Sequence, residues 1–289
     1  MSYELTVDPK IEMLGILEYF ADPHIPLFFT DTIPHSLEQE YQKRIESYFA
    51  PFRDHPALLG LKKMKELGFK SDQAVRLLLY HSQIPYLFSQ PVIQNQKHLE
   101  WVQTLRLWID DTKFPSFYEK NKHFYEKVIQ TVESAIDQIP IFDVIELFFG
   151  DKRVSYHIIA SSIKTGNFNV FLPNRGIAGI IGSPILSSTS IYARIIHELA
   201  YCFIRPAVDL HWSYFQPSQD PAKPANNREA VYELIVQAVQ SILVVGSVPE
   251  YSLLSAIAEN ISSEYQHNRS QYPTFATYIP RIATIIRGN

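Results

Sequence analysis

The chain has 289 residues, 46% of them hydrophobic, with 26 lysines and arginines against 30 acidic residues and a formal net charge of −4. That composition is one of an ordinary folded protein with room for one large core or two modest ones, and it lacks the basic excess that nucleic-acid binding needs. The single cysteine, Cys202, excludes an internal disulfide and a zinc site built from cysteines.

The start, MSYELTVDPKIEMLG, has no apolar run behind a positive cluster and is not read as a secretory signal. From Pro9 to Phe20, the residues Ile11, Leu14, Ile16, Leu17 and Phe20 fall roughly on one helical face, with Pro23 and Pro26 as the stop. Ser36 to Phe49 predicts a second helix, with Leu37, Tyr41, Ile45, Tyr48 and Phe49 on one stripe. PFRDHPALLGLKKMKELGF adds a third that Gly68 ends. SDQAVRLLLYHSQ opens on a Ser/Asp cap and is helical again, and Lys97 to Gln138 repeats the pattern around a break at Phe114 and Pro115.

Near Pro140 the texture changes. VSYHIIASSI and FNVFLPN are short, β-branched and aromatic, and bounded by Gly150, Gly166, Asn167 and Asn174, which predicts strands and hairpin turns. RGIAGIIGSPILSS reads as a flexible loop, followed by a helix from Ile191 to Ile204, an irregular stretch after Pro206, and a helix from about Arg228 to Val245. QSILVVGSVPEYSLL is broken by Gly246, Pro249 and Glu250, so no membrane span is read and a cytoplasmic protein is expected. The order points to a predominantly helical α+β fold with a small sheet, one domain over residues 1–289, mainly helical in 1–139 and holding strands plus motif helices in 140–289.

The stretch SIYARIIHELAYCFIRP comes within one residue of HExxH, the helical pair of histidines that holds zinc in many metallopeptidases. On a helical wheel Ile195, Ile196, Leu199, Cys202 and Phe203 fall on one side, while Arg194, His197, Glu198, Tyr201 and Arg205 fall on the other. Such a polar side is commonly just a solvated face. In the functional alternative, His197 offers an imidazole to a divalent metal and Glu198 acts as general base on a bound water. Tyr201 stands one turn on, where the second histidine would be, and a phenol oxygen reaches the same space. NNREAVYELIVQAVQSIL is the candidate source of a further ligand, with Glu229, Glu233 and Gln240 opposite a core face of Val231, Leu234, Ile235, Ala238, Val239 and Ile242. Two early glutamates also suit a solvated helix N-terminus.

The chain resembles a family of uncharacterised bacterial proteins related to the gluzincins, whose metal ligands are the two HExxH histidines and a downstream glutamate. The family pattern HEFSHSFVNP is matched by HELAYCFIRP, and a later EYLVRA-like helix by YELIVQA. The likeness also runs through ELTVDPKIEMLGILEYFA and YFAPFRDHPALLGLKKMKELGF. It implies a zincin-like fold, His197 and Glu233 as metal ligands and Glu198 as the general base, with Tyr201 in the place of the remaining ligand. Zinc would then be bound weakly or not at all, because one of three protein donors is replaced.

Two functions follow as expectations. One is a zincin-like metallopeptidase relative with an incomplete site, silent or atypical as a hydrolase, acting on a peptide along an edge strand such as NFNVFLP. The other is a metal-free protein of the same descent that binds a peptide or serves as a scaffold. Neither calls for nucleic acid or a membrane. His55 lies in the family-like segment RDHPALL but follows no ligand spacing, and His81 and His157 read as packed or surface histidines. His211 reads as part of an aromatic loop covering the core, with replacement of the missing ligand as the alternative, Asp209 as a carboxylate able to orient a ligand histidine, and Cys202 as an inert buried thiol.

Overall fold

The computed structural model describes residues 3–21, 36–69, 74, 78, 96–137, 140–150, 156–161, 168–172, 176–182, 188–215, 227–244, 256–272 and 274–288. Strand β1 (Tyr3–Val7) leads into α1 (Pro9–Ala21), and then come α2 (Ser36–Phe49) and α3 (Pro56–Glu66). After these come α4 (Gln96–Thr112), α5 (Phe114–Lys120), α6 (Lys122–Asp137) and α7 (Ile141–Phe149). Strands β2 (Tyr156–Ser161), β3 (Phe168–Leu172) and β4 (Gly176–Gly182) precede the motif helix α8 (Ser188–Leu210), and α9 (Arg228–Leu243), α10 (Ala256–Asn268) and α11 (Phe275–Gly288) follow it.

The strands form one sheet in the order β1-β2-β4-β3. β1 runs parallel to β2, from Tyr3 opposite Tyr156 to Val7 opposite Ala160, and β2 runs parallel to β4. β3 is antiparallel to β4, with Leu172 opposite Gly176, and stands at the sheet edge. The fold class is therefore α+β with helix dominant. No described helix is long and apolar enough to cross a membrane.

Most helices of the first half follow their apolar stripes and punctuation. Tyr41, Ile45 and Phe49 bury one side of α2. His55 caps α3 by accepting the Ala57 amide on Nδ1, and Gly68 follows at φ +86, a backbone conformation that glycine takes without Cβ strain. Lys113, at φ 52, makes the break between α4 and α5. The predicted helix SDQAVRLLLYHSQ lies outside the described residues except for Ala74 and Leu78, both helical and fully buried. Helix α1 departs from the one-face expectation, since every residue from Ile11 to Glu18 is buried. Its two glutamates are thus part of the interior: Glu12 Oε1 accepts the Ser161 hydroxyl at 2.6 Å, joining α1 to the end of β2.

Three expectations are corrected. RGIAGIIGSPILSS is no loop over its glycine-rich part: Gly176–Gly182 is β4, an inner strand. Glycine is depleted in strands, which hides this one, but it suits a strand that another backbone approaches closely, and α8 packs against β4. The segment just after Pro140 is helix α7 before any strand begins, with Ile141, Phe142, Ile145, Phe148 and Phe149 buried at helical spacing and Asp143 and Leu147 exposed. Pro206 does not end the motif helix, which runs to Leu210 with Ile204 and Val208 fully buried on either side of the proline. Strand β1, from the mainly helical part, lies in the same sheet as β2 to β4.

Candidate functional site

Helices α8 and α9 pack directly on each other, and α8 also packs against β4 and the edge strand β3. Asn227 caps α9 by accepting the amides of Glu229 and Ala230, which sets where the helix begins and so which of its residues face α8. Val231, Ile235, Ala238 and Val239 bury the predicted face, joined by Tyr232, Val236 and Gln240, while Leu234 and Ile242 are only partly covered.

The polar side of α8 is not a solvated face. Glu198 is 1% exposed and His197 8%, whereas Tyr201 and Arg205 are half-buried. A charged or titratable side chain is rarely buried to that extent unless it has a structural or chemical partner. Cys202, expected to be fully buried, is half-buried against the core.

His197 Nε2 lies 3.8 Å from Glu233 Oε2. The Tyr201 hydroxyl donates to the same Oε2 at 3.2 Å, and Gln237 Nε2 donates to Oε1 at 3.0 Å. On its other side His197 Nδ1 lies 3.3 Å from Gln240 Oε1, while Gln240 Nε2 donates to the Ala193 carbonyl at 2.9 Å. The His197 and Tyr201 rings are 5.6 Å apart between centroids. Burial pushes the Tyr201 phenol well above its ordinary range, and the neighbouring Glu233 carboxylate pushes it further by charge and by accepting its hydrogen bond. The phenol is therefore a neutral donor at physiological pH. Its proton serves Glu233.

Glu198 follows His197 on α8 and is buried beside this cluster. Glu229 lies away from it, accepting Arg205 at 3.3 Å on an exposed rim. Asp209 does not serve as the orienting carboxylate. It accepts the Tyr232 hydroxyl at 2.5 Å and the Arg228 guanidinium at 3.2 Å, and Arg228 in turn covers the Trp212 ring at 4.7 Å. Burial first, and then the bond to Asp209, push the Tyr232 phenol up to about 12. His211 packs its ring near Tyr214 at the end of α8, His157 pairs with Glu4 at 2.8 Å across β1 and β2, and His81 lies outside the described residues.

Residues 87–220 match the family model described as a domain of unknown function (DUF4932). The match takes in β2 to β4 and α8 with His197, Glu198 and Tyr201, and it stops before α9, which carries Glu233 and Gln240. No curated protein and no solved structure matches the chain.

The sequence pattern assigns no role to two members of the cluster, Gln237 and Gln240. Gln237 is one helical turn beyond Glu233, a spacing that brings two side chains together on any helix, and this was the available signal. As for a metal, a structural or catalytic zinc takes at least three protein donors. Among the described residues no group of three or more His, Cys, Asp or Glu side chains is placed to hold one. The donors that do converge are one imidazole, one carboxylate and a protonated phenol, which does not fit the usual zinc set.

Proposed function

We propose that this protein is a zincin-like relative of the metallopeptidases whose HExxH-type site has lost ordinary zinc hydrolysis and whose cleft binds peptide. The reading rests on one observation above the rest: Tyr201, in the position of the second histidine, donates its hydrogen to Glu233, the glutamate that the gluzincin resemblance assigns to the metal. A hydrogen bond thereby takes up the carboxylate oxygen that would face the ion. Edge strand β3 supplies the surface for a peptide. Among the described residues it has a sheet partner on one side only, it packs against α8, and an extended chain can add to such an edge through backbone hydrogen bonds.

A second reading has its own support. The 3.8 Å between His197 Nε2 and Glu233 Oε2 is only a little wider than the roughly 3.4 Å that separates two ligands across a tetrahedral zinc ion. In that reading Tyr201 gives up its proton and the protein is a hydrolase with an unusual ligand set. Elemental analysis of protein purified without added metal or a metal-binding tag separates the two, run beside a mass-spectrometric assay of mixed peptides. The proposal expects substoichiometric zinc and intact peptides. Stoichiometric zinc that disappears in His197→Ala, with cleavage that disappears in Glu198→Gln, would establish the hydrolase instead.

A further inference from the structure

Gln240 is 5% exposed, lies on the same helix as Glu233, and reaches across to α8 with both ends of its amide. The Ala193 carbonyl can only accept, so the end 2.9 Å from it is the NH2 group. The reversed amide would press oxygen against oxygen at that distance. The Gln240 oxygen consequently faces His197 Nδ1 at 3.3 Å, and an oxygen there calls for a hydrogen on the nitrogen.

We infer that Gln240 is a positioning residue that holds neutral His197 in its Nδ1–H tautomer and turns the Nε2 lone pair toward Glu233. Which ring nitrogen carries the proton in a histidine is set by the hydrogen bond at the other one, and here the Ala193 carbonyl sets it at one remove. A second feature of the cluster fits. A bare Nε2 offers no hydrogen to Glu233, and both carboxylate oxygens receive theirs from elsewhere, Oε2 from Tyr201 and Oε1 from Gln237. The inference deepens the proposed function by specifying the chemistry of its central histidine, and it rests on that reading only in taking His197 as part of the cleft.

The test is a long-range proton–nitrogen correlation spectrum of the imidazole rings in full-length, ¹⁵N-labelled protein, at a pH high enough for neutral imidazole, with His197 assigned by its loss in His197→Gln. The parent should show a protonated Nδ1 and a bare Nε2. Gln240→Glu keeps an acceptor at Nδ1 and should keep the tautomer, with a lower melting temperature from losing the bond to Ala193. Gln240→Leu removes the acceptor, and the proton should move to Nε2. A parent with Nε2–H overturns the assignment, as does a folded Gln240→Leu protein with the parent tautomer; if the leucine variant does not fold, the parent and Gln240→Glu spectra still decide. No peptide or metal enters the measurement. Failure to bind peptide with the Nδ1–H tautomer intact would sink the cleft reading alone, and peptide binding by an Nε2–H protein would sink the tautomer assignment alone.

Discussion

Tyr201 shows how one side chain can change what a site does while leaving its geometry in place. It keeps a polar atom within reach of Glu233, but the atom brings a proton, and burial together with the Glu233 charge keeps that proton in place. Tyr201→His should therefore add a second imidazole one helical turn from His197 and free the Glu233 oxygen. Zinc affinity is expected to rise on the order of tenfold or more, read by calorimetric titration, while the lost phenol costs roughly 1 kcal/mol of stability. Glu198→Gln in the revertant is the control for any hydrolysis that returns. A folded Tyr201→His protein that binds zinc no better than the parent would show that position 201 is no ligand position. Tyr19 makes a similar donation far from the site: its hydroxyl lies 2.6 Å from Glu46, and this bond, followed by that from Gln42, holds the Glu46 carboxyl below its ordinary range. A depressed carboxyl stabilises the fold above its ordinary pKa, and that contribution is lost as pH falls through the folded value. Tyr19→Phe should accordingly be less stable than the parent at neutral pH, and the gap measured by urea titration should close in acid. A gap independent of pH would mean that the hydroxyl acts through packing.

At the level of single elements, two helix ends separate conformational strain from crowding. Gly68 and Gly150 both have positive φ, but a Cβ on Gly68 would meet nothing within 4 Å, whereas on Gly150 it would come within 2.8 Å of Thr274 Cγ2. Gly68→Ala should cost about 1 kcal/mol, and Gly150→Ala measurably more, because Thr274 must also move. Equal costs by thermal melting would show that the loop around Thr274 yields freely. The same ends illustrate what the sequence makes legible. Helices α2 to α6 carry regular stripes between prolines and glycines, so their existence follows from local chemistry. Strand β4 does not, because glycines at 176, 179 and 182 resemble a loop until α8 is seen packed on the strand, and α7, at 9 residues, is too short for its helical period to stand out. Strand β1 owes its identity to pairing with residues some 150 positions away. In the site, the spacing of HELAY and the family resemblance bring forward His197, Glu198, Tyr201 and Glu233. The role of Gln240 stays hidden, since its amide joins the site only through the crossing of two helices, whereas the spacing of Gln237 from Glu233 on one helix is legible. The burial of Glu198 is hidden for the same reason.

Across the whole molecule, the site and the core both depend on chain segments outside the stretch that matches the DUF4932 family model. Residues 87–220 hold β2, but its neighbour β1 comes from residues 3–7, and Ser161 at the end of β2 donates to Glu12 on α1. Tyr125 on α6 meets Tyr41 on α2 at 2.8 Å between hydroxyls, and Phe148 on α7 packs on Phe275 of α11 with ring centroids 5.1 Å apart. Buried side chains from Val7 to Ile286 join one continuous cluster. A fragment cut at 87 and 220 would expose the free edge of β2, one side of α7 and the whole face of α8 that α9 covers, while leaving Ser161 and Tyr125 without their distant partners. Apolar surface on that scale outweighs the stability of an ordinary domain, which is only about 5–15 kcal/mol. The fragment is therefore expected to show helical circular dichroism without a cooperative thermal transition, and the 289-residue chain is expected to melt in one step. If the fragment instead melts cooperatively and protects the β2 amides from hydrogen exchange, the family-matched segment is a domain in its own right, and the flanking helices that carry Glu12, Glu233 and Gln240 are additions to a finished core.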